Sequence, residues 1–193
     1  IDVGSGKGGD KSKWDALKLK RVYACEFNLE NIQEMNRRLS KQKSKDGTSV
    51  ELLIDDAKNP VRFASENALD TIVKRVQKDR IAGMSAFFCM TFMADSEETF
   101  NRLVDSVDTL VPIGGKFIGI VMDGDRVKEK IGKEDGPKTI RDGNLSITRK
   151  TKPKTIATRD FGNKIEISLQ GSATLQGQIE YMFPFNRFEK ELK

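Results

Sequence analysis

Short apolar runs at Arg21 to Phe27, Ser49 to Ile54, Met84 to Met90 and Lys116 to Met122 alternate with segments whose apolar residues recur every three or four positions. The spacers carry Leu29, Ile32, Met35 and Leu39, then Leu69, Ile72, Val73 and Val76, then Phe100, Leu103, Val104, Val107 and Leu110. A compact apolar run bounded by polar residues suits a strand buried on both faces, and the three-to-four spacing suits an amphipathic helix. The chain opens with Ile1-Asp2-Val3, which reads as a strand already under way, so we expect a segment of a longer polypeptide. Strands alternating with helices predict an α/β fold with a doubly wound, mostly parallel sheet, whose ligands sit at the carboxyl ends of the strands.

Composition narrows the chemistry. The 193 residues contain no histidine, so imidazole bases, imidazole metal ligands and histidine switches are all excluded. Cys25 and Cys89 both lie in apolar runs, too far apart in pattern for a zinc site or a disulfide framework. They read as buried thiols of a reducing compartment, and no metal is expected. No apolar run approaches the length of a membrane span, so no membrane partner is expected either. A formal net charge of +5 favours a polyanionic partner.

Gly4-Ser5-Gly6-Lys7-Gly8-Gly9 interrupts the opening strand, and Asp10 is placed to cap a helix running through Trp14 and Leu17. Gly4, Gly6 and Gly9 fit the G-x-G-x-x-G spacing, which lets the backbone turn sharply and approach a ligand at a helix start. Lys7 is followed by Gly8 where a Walker phosphate loop needs Ser or Thr, which leaves a dinucleotide such as NAD or S-adenosylmethionine. Asp2 is awkward beside a pyrophosphate and tolerable beside an ammonium, while Lys7 can pair with a carboxylate. Glu26 ends the second strand, where a carboxylate can accept both ribose hydroxyls of either ligand. Asp55 or Asp56 ends the third and can accept from an adenine amino group. Acids at three neighbouring strand ends favour S-adenosylmethionine. Trp14 and the two cysteines read as packing residues.

After Met122 the pattern changes. The stretch 126–160 holds eleven Lys or Arg against five Asp or Glu and no long apolar run, which predicts a basic surface insertion within a single domain over 1–193. Asn144 to Arg149, Lys164 to Leu169 and Gln178 to Phe183 alternate as antiparallel strands do, and Pro184 precedes a short terminal helix.

Ile1 to Trp14, IDVGSGKGGDKSKW, resembles the first motif of the mRNA cap guanine-N7 methyltransferases. The similarity continues through Cys25-Glu26-Phe27-Asn28, Ile54-Asp55-Asp56-Ala57, the strand around Phe87 to Met93, and Val111 to Gly119. Met122-Asp123-Gly124-Asp125 is similar to the form found in large-DNA-virus capping enzymes, and Gln178-Ile179-Glu180-Tyr181 to the family's Glu-Tyr element.

The resemblance implies a Rossmann-like S-adenosylmethionine-dependent methyltransferase fold with an antiparallel insertion. It implies that Asp2, Gly4 and Lys7 hold the methionine end of the cofactor, with Gly6 in the same binding loop, Glu26 the ribose and Asp56 the adenine. Glu180 would bond the Watson–Crick edge of the cap guanine, with Tyr181 lining its pocket and Phe92 stacking. The substrate implied is GpppN-RNA, and the setting a cytoplasmic viral factory or virion, with guanylyltransferase and triphosphatase domains on the same polypeptide. Many family members carry a His-Tyr pair after the fourth strand; Met90-Thr91-Phe92-Met93 stands there instead. That departure keeps open a second reading, a catalytically weak cofactor-binding or scaffolding domain of a capping complex. Guanine N7 presents a free lone pair, so methyl transfer to it requires positioning and electrostatics, with no general base to supply.

Overall fold

The computed structural model describes residues 1–26, 28–41, 48–53, 81–172 and 175–192. The chain divides into two compact units. The first comprises Ile1–Cys89 and Asp105–Ile120, the second Met90–Val104 and Val121–Lys193.

The first unit is built on a parallel sheet of β1 (Asp2–Val3), β2 (Arg21–Cys25), β3 (Ser49–Leu53), β4 (Gly83–Phe87) and β5 (Lys116–Ile120), in the order β3-β2-β1-β4-β5. The chain leaves β1 toward β2 on one side and returns to β4 on the other, so the carboxyl end of β1 is the topological switch point, where open α/β sheets bind ligands. Helices α1 (Lys11–Ala16) and α2 (Leu29–Lys41) bring Trp14 and Met35 onto Val22 and Ala24. The opposite face holds Tyr23, Cys25 and Leu110, the last from α3 (Glu97–Leu110), whose sequence is divided between the units. Trp14 and both cysteines are therefore core residues, and burial pushes each thiol up to about 12, which removes it as a nucleophile.

Two local features differ from the sequence reading. β4 stops at Phe87 because Phe88 adopts a left-handed φ of 61°, after which a 3₁₀ turn occupies Met90–Ala94. Asp10 stands at the N-cap of α1 without a side-chain capping bond, because Lys13 one turn on draws its carboxylate into an ion pair. Ile54, the acids Asp55 and Asp56 and the helix read over Leu69 to Val76 lie outside the described residues.

The second unit holds an antiparallel sheet, β6 (Thr139–Asp142), β7 (Leu145–Arg149), β8 (Lys164–Leu169) and β9 (Gln178–Tyr181), in sequence order. The sequence did not reveal two helices within 126–160, α4 (Gly124–Ile131) and α5 (Pro153–Thr158). Together they set Val127, Ile131 and Ile156 against Ile147, Ile165, Ile167 and Met182. The stretch read as a surface insertion thus keeps its charges outside and contributes four of these seven core residues, Val127, Ile131, Ile147 and Ile156. Its apolar residues are single and widely spaced, so no run announces them. α6 (Phe185–Glu191) follows Pro184, and Phe188 joins Phe100, Phe161 and Phe183 in a ring cluster with centroids 5.2 to 6.0 Å apart.

Candidate functional site

At the carboxyl end of β1, Gly4 and Ser5 donate to the Cys25 carbonyl at 2.9 and 3.1 Å, pinning the glycine loop to the end of β2. Gly4, Gly6 and Gly8 have positive φ. A Cβ on Gly4 would stand 2.5 Å from the Cβ of Cys89, and one on Gly8 2.7 Å from Met35 Cγ, whereas Gly9 has no atom of the described residues within 4 Å of that position. The third demanding glycine is Gly8, not the Gly9 of the G-x-G-x-x-G spacing. The reason is tertiary: α2 places Met35 under the loop.

Glu26, 4% exposed, accepts the Gly6 amide on Oε2 and the Asn28 amide on Oε1, both at 2.8 Å. The carboxylate therefore shapes the loop. A carboxylate oxygen has two lone-pair directions, so a ligand hydroxyl can share an oxygen with a backbone amide. Asp2 is 3% exposed; Ser85 Oγ donates to its Oδ1 at 2.6 Å, while Oδ2 is buried without a hydrogen-bond partner among the described residues. Burial pushes the Asp2 carboxyl up to about 6, against the opposing Ser85 bond. Lys7 is exposed and makes no ion pair among the described residues. Asp2 also borders a mostly carbon-lined groove of about 850 Å³ along the sheet face, bounded by Trp14, Phe87 and Ile118.

A buried carboxylate oxygen without a donor, beside two backbone turns that admit no side chain, fits a ligand that presents a cation such as an ammonium group. It does not fit a pyrophosphate. The residues in this unit therefore suit S-adenosylmethionine better than NAD. Phe88 was missed in the sequence. A non-glycine left-handed residue, 68% exposed at the carboxyl end of β4, is the kind of strained aromatic that accumulates at binding sites. Its only signal was its place at the end of an apolar run.

In the second unit, the 3₁₀ turn packs against β9. Glu180 is 7% exposed, and its carboxyl is raised by burial, offset in part by the nearby Thr91 hydroxyl. Thr91 Oγ1 is itself buried outside hydrogen-bonding geometry with any partner among the described residues. Phe92 is the half-buried ring of a turn whose neighbours Met90, Thr91, Met93 and Ala94 are all buried. Tyr181 does not join Glu180. Successive strand residues point to opposite faces, and Glu180 is registered with Ile165 while Tyr181 is registered with Lys164. The two side chains thus cannot form one pocket wall.

Met122-Asp123-Gly124-Asp125 has structural work in the same unit. Asp123 Oδ1 accepts from Arg126 N at 3.1 Å as the cap of α4, and Asp125 Oδ2 accepts from Asn186 N at 2.8 Å. Gly124 donates to the Phe183 carbonyl at 3.0 Å, an approach so close that a Cβ would stand 2.2 Å from Phe183 N.

Residues 1–192 match the family model described as the mRNA (guanine-N(7))-methyltransferase domain. The chain belongs to this family. Its curated relatives include the mRNA cap guanine-N(7) methyltransferase of Saccharomyces cerevisiae, 22% identical over 97% of this chain and 38% of that protein. The enzyme of the same name from Schizosaccharomyces pombe is 22% identical over 97% of this chain and 49% of its own length. That from Candida glabrata is 25% identical over 69% and 30% respectively. This cap methyltransferase family member thus spans 30 to 49% of the length of those proteins, and these relatives are fungal.

Among solved structures, the S-adenosylmethionine-dependent methyltransferase from Clostridium acetobutylicum superposes with a TM-score of 0.53 at 13% identity, covering 99% of this chain and 69% of that one. The CcbJ methyltransferase from Streptomyces caelestis gives 0.54 at 13%, with coverage of 99% and 69%. Both carry the fold, and the Rossmann-like methyltransferase architecture read from the sequence is the one observed.

Proposed function

We propose that the chain transfers a methyl group from S-adenosylmethionine to N7 of the guanine in a GpppN-RNA cap. The observation that carries this reading is Asp2 Oδ2, a buried acceptor without a donor among the described residues at the switch point, within a chain of the cap methyltransferase family. Bound at the glycine loop, the cofactor would supply an electrophilic methyl carbon on a sulfonium.

The chain's own residues do the positioning. Ionised Asp2 would receive the ammonium group and Lys7 the carboxylate. Gly4 and Gly6 leave room for close approach. Glu26 would accept ribose hydroxyls while its backbone bonds hold the loop, and we assign Asp55 or Asp56 to the adenine. Glu180 would accept from guanine N1 and N2, with Phe92 beside the ring. As the carbon–nitrogen bond forms and the carbon–sulfur bond breaks, positive charge passes from sulfur to guanine. An ionised Glu180 is attracted more strongly to that product-like charge than to neutral guanine, which lowers the barrier. No proton moves, so the absence of histidine costs nothing.

Labelled cofactor incubated with GpppRNA, ApppRNA and uncapped RNA tests the reading. Transfer to GpppRNA alone is expected. Calorimetric binding of NAD with none of S-adenosylmethionine would overturn it. We also read the chain as part of a longer viral capping polypeptide, on the Met122 to Asp125 segment. A covalent guanylate adduct on the full polypeptide after incubation with labelled GTP is the expected sign of that setting.

A further inference from the structure

The second unit carries a cationic corner that neither the glycine loop nor Glu180 uses. Arg149, the last residue of β7, gathers it: its amide donates to the Lys138 carbonyl at 2.8 Å, and its guanidinium to the carbonyls of Ile131 at 2.6 Å and Lys133 at 2.9 Å. The next residues turn onto β8, where Lys150 and Thr151 both donate to the Lys164 carbonyl. α5 then begins after Lys152, with Lys154 in its first turn. Lys133, Lys138, Lys150, Lys152, Lys154 and Lys164 are all exposed. Only Lys150 is taken, by Glu166 at 2.6 Å; among the described residues the other five make no ion pair. The acids of this corner are Glu134, Asp135 and Glu166, so the lysines outnumber them two to one.

Leaving unpaired lysines so close together raises the local positive potential, and an anionic chain relieves it with release of counterions. Three observations select the anion. Arg149, Ile165 and Glu180 are successive cross-strand partners, which sets the backbone of Arg149 two strand spacings, roughly 10 Å, from that of the glutamate assigned to guanine. Tyr181 is registered with Lys164 on the sheet face away from Glu180, giving a ring beside a cation, the combination that single-stranded nucleic acid uses for a base and its phosphate. No large apolar side chain of 133–164 is exposed, and Ile179 of β9, registered with Glu166, is a single exposed apolar residue beside that stretch, short of the continuous apolar face of a membrane-surface element.

We propose that this corner is the track for the RNA body, holding the backbone phosphates of nucleotides downstream of the cap by Lys152, Lys154 and Lys164. This rests on the proposed function for the meaning of Glu180, but its test does not depend on methyl transfer. The complete chain carrying Lys152→Ala, Lys154→Ala and Lys164→Ala is compared with the parent in binding a short uncapped RNA by fluorescence anisotropy across a salt series. All three side chains are exposed and free of partners, and circular dichroism confirms the fold. The slope of log affinity against log salt is expected to shallow by about 0.7 for each lysine removed.

In parallel, kcat/KM is measured on capped RNA and on the cap dinucleotide GpppG. It should fall on capped RNA through a raised KM and stay unchanged on GpppG. An unchanged salt slope overturns the proposal. So does an equal loss on GpppG, which would put the lysines at the guanine site. So does a loss of binding to phosphatidylserine vesicles with RNA binding intact, which would make the partner a membrane. A parent chain that binds RNA with the lysine-dependent slope yet methylates no cap would sink the proposed function and leave this inference standing.

Discussion

The two units each bury one glutamate that the proposed function needs, and they treat it in opposite ways. Glu26 ends β2 with both oxygens on backbone amides at 2.8 Å, so its charge is solvated by the fold before any ligand arrives. Glu180 sits within β9, where burial raises its carboxyl and the neighbouring Thr91 hydroxyl is itself unpartnered. The difference separates two ways of using a carboxylate. Glu26 is preorganised, and its energy is spent mainly on the shape of the loop. Glu180 is under-solvated, and a donor-bearing ring would relieve more of its desolvation.

The largest test of that contrast is Glu180→Ala. Removing the carboxylate should lower kcat/KM for GpppRNA by about 10²–10³-fold, the usual loss when one preorganised electrostatic group is taken from a transition state. Calorimetric affinity for S-adenosylmethionine should be unchanged. A parallel fall in both quantities would mean that Glu180 supports the fold and that the contrast is false. Near-parent transfer would leave the scaffolding alternative the better account.

Asp2 supplies the next effect, and its sign can be worked out. Burial raises its carboxyl from 3.8 to about 6, so between those values the folded chain holds a proton that the unfolded chain has lost. Its stabilising contribution is full below 3.8 and is lost as pH rises through about 6, a difference of about 3 kcal/mol. Asp2→Asn should therefore raise the denaturation midpoint above pH 6 and have little effect near pH 4. Cofactor affinity should run the other way. An ammonium needs the ionised carboxylate, so affinity should weaken as pH falls below about 6, and Asp2→Asn should weaken it at all pH values and flatten the profile. A variant that binds as tightly as the parent would place the cationic ligand group elsewhere.

Glu26→Ala comes third. It removes the acceptor of two amides as well as a ribose contact, so it should cost about 1–3 kcal/mol in cofactor binding and a comparable amount in stability. If affinity fell while the thermal midpoint stayed fixed, Glu26 would be a ligand residue only, and the preorganisation argued from its amide bonds would be wrong.

How much of this was legible follows from which signals are local. The parallel sheet could be read because Arg21 to Cys25, Ser49 to Leu53 and Lys116 to Ile120 are apolar runs set between helical periods, and β7 to β9 because alternation is a property of consecutive residues. α5 escaped because Pro153, which opens it at the first helical position, reads in a lysine-rich stretch as a loop signal, and Ile156 alone buries. The position of Glu26 was legible, but its amide bonds were not, since they depend on where Gly6 turns. The opposed faces of Glu180 and Tyr181 were available from strand alternation, and the Glu-Tyr resemblance obscured them.

Gly8 and Gly9 give the smallest effect and the sharpest view of that limit. By spacing alone Gly9 belongs to the motif and Gly8 is incidental. In the fold, Gly8 has a φ of 70° and would press a Cβ to 2.7 Å of Met35 Cγ, while Gly9 has no positive φ and open space. Gly8→Ala combines a left-handed alanine with an overpacked contact, each a known source of about 1–3 kcal/mol, although the thioether of Met35 can yield and bring the sum toward the lower end. Gly9→Ala should shift stability by no more than about 0.5 kcal/mol. Urea denaturation of the two variants decides between them, and Gly8→Ala with Met35→Ala separates the causes. If the double variant recovers stability relative to Met35→Ala alone, packing dominates; if the penalty persists, it lies in the backbone. A reversal, with Gly9→Ala the more damaging, would return the loop to the conformation its spacing suggests and remove α2 from the definition of the site.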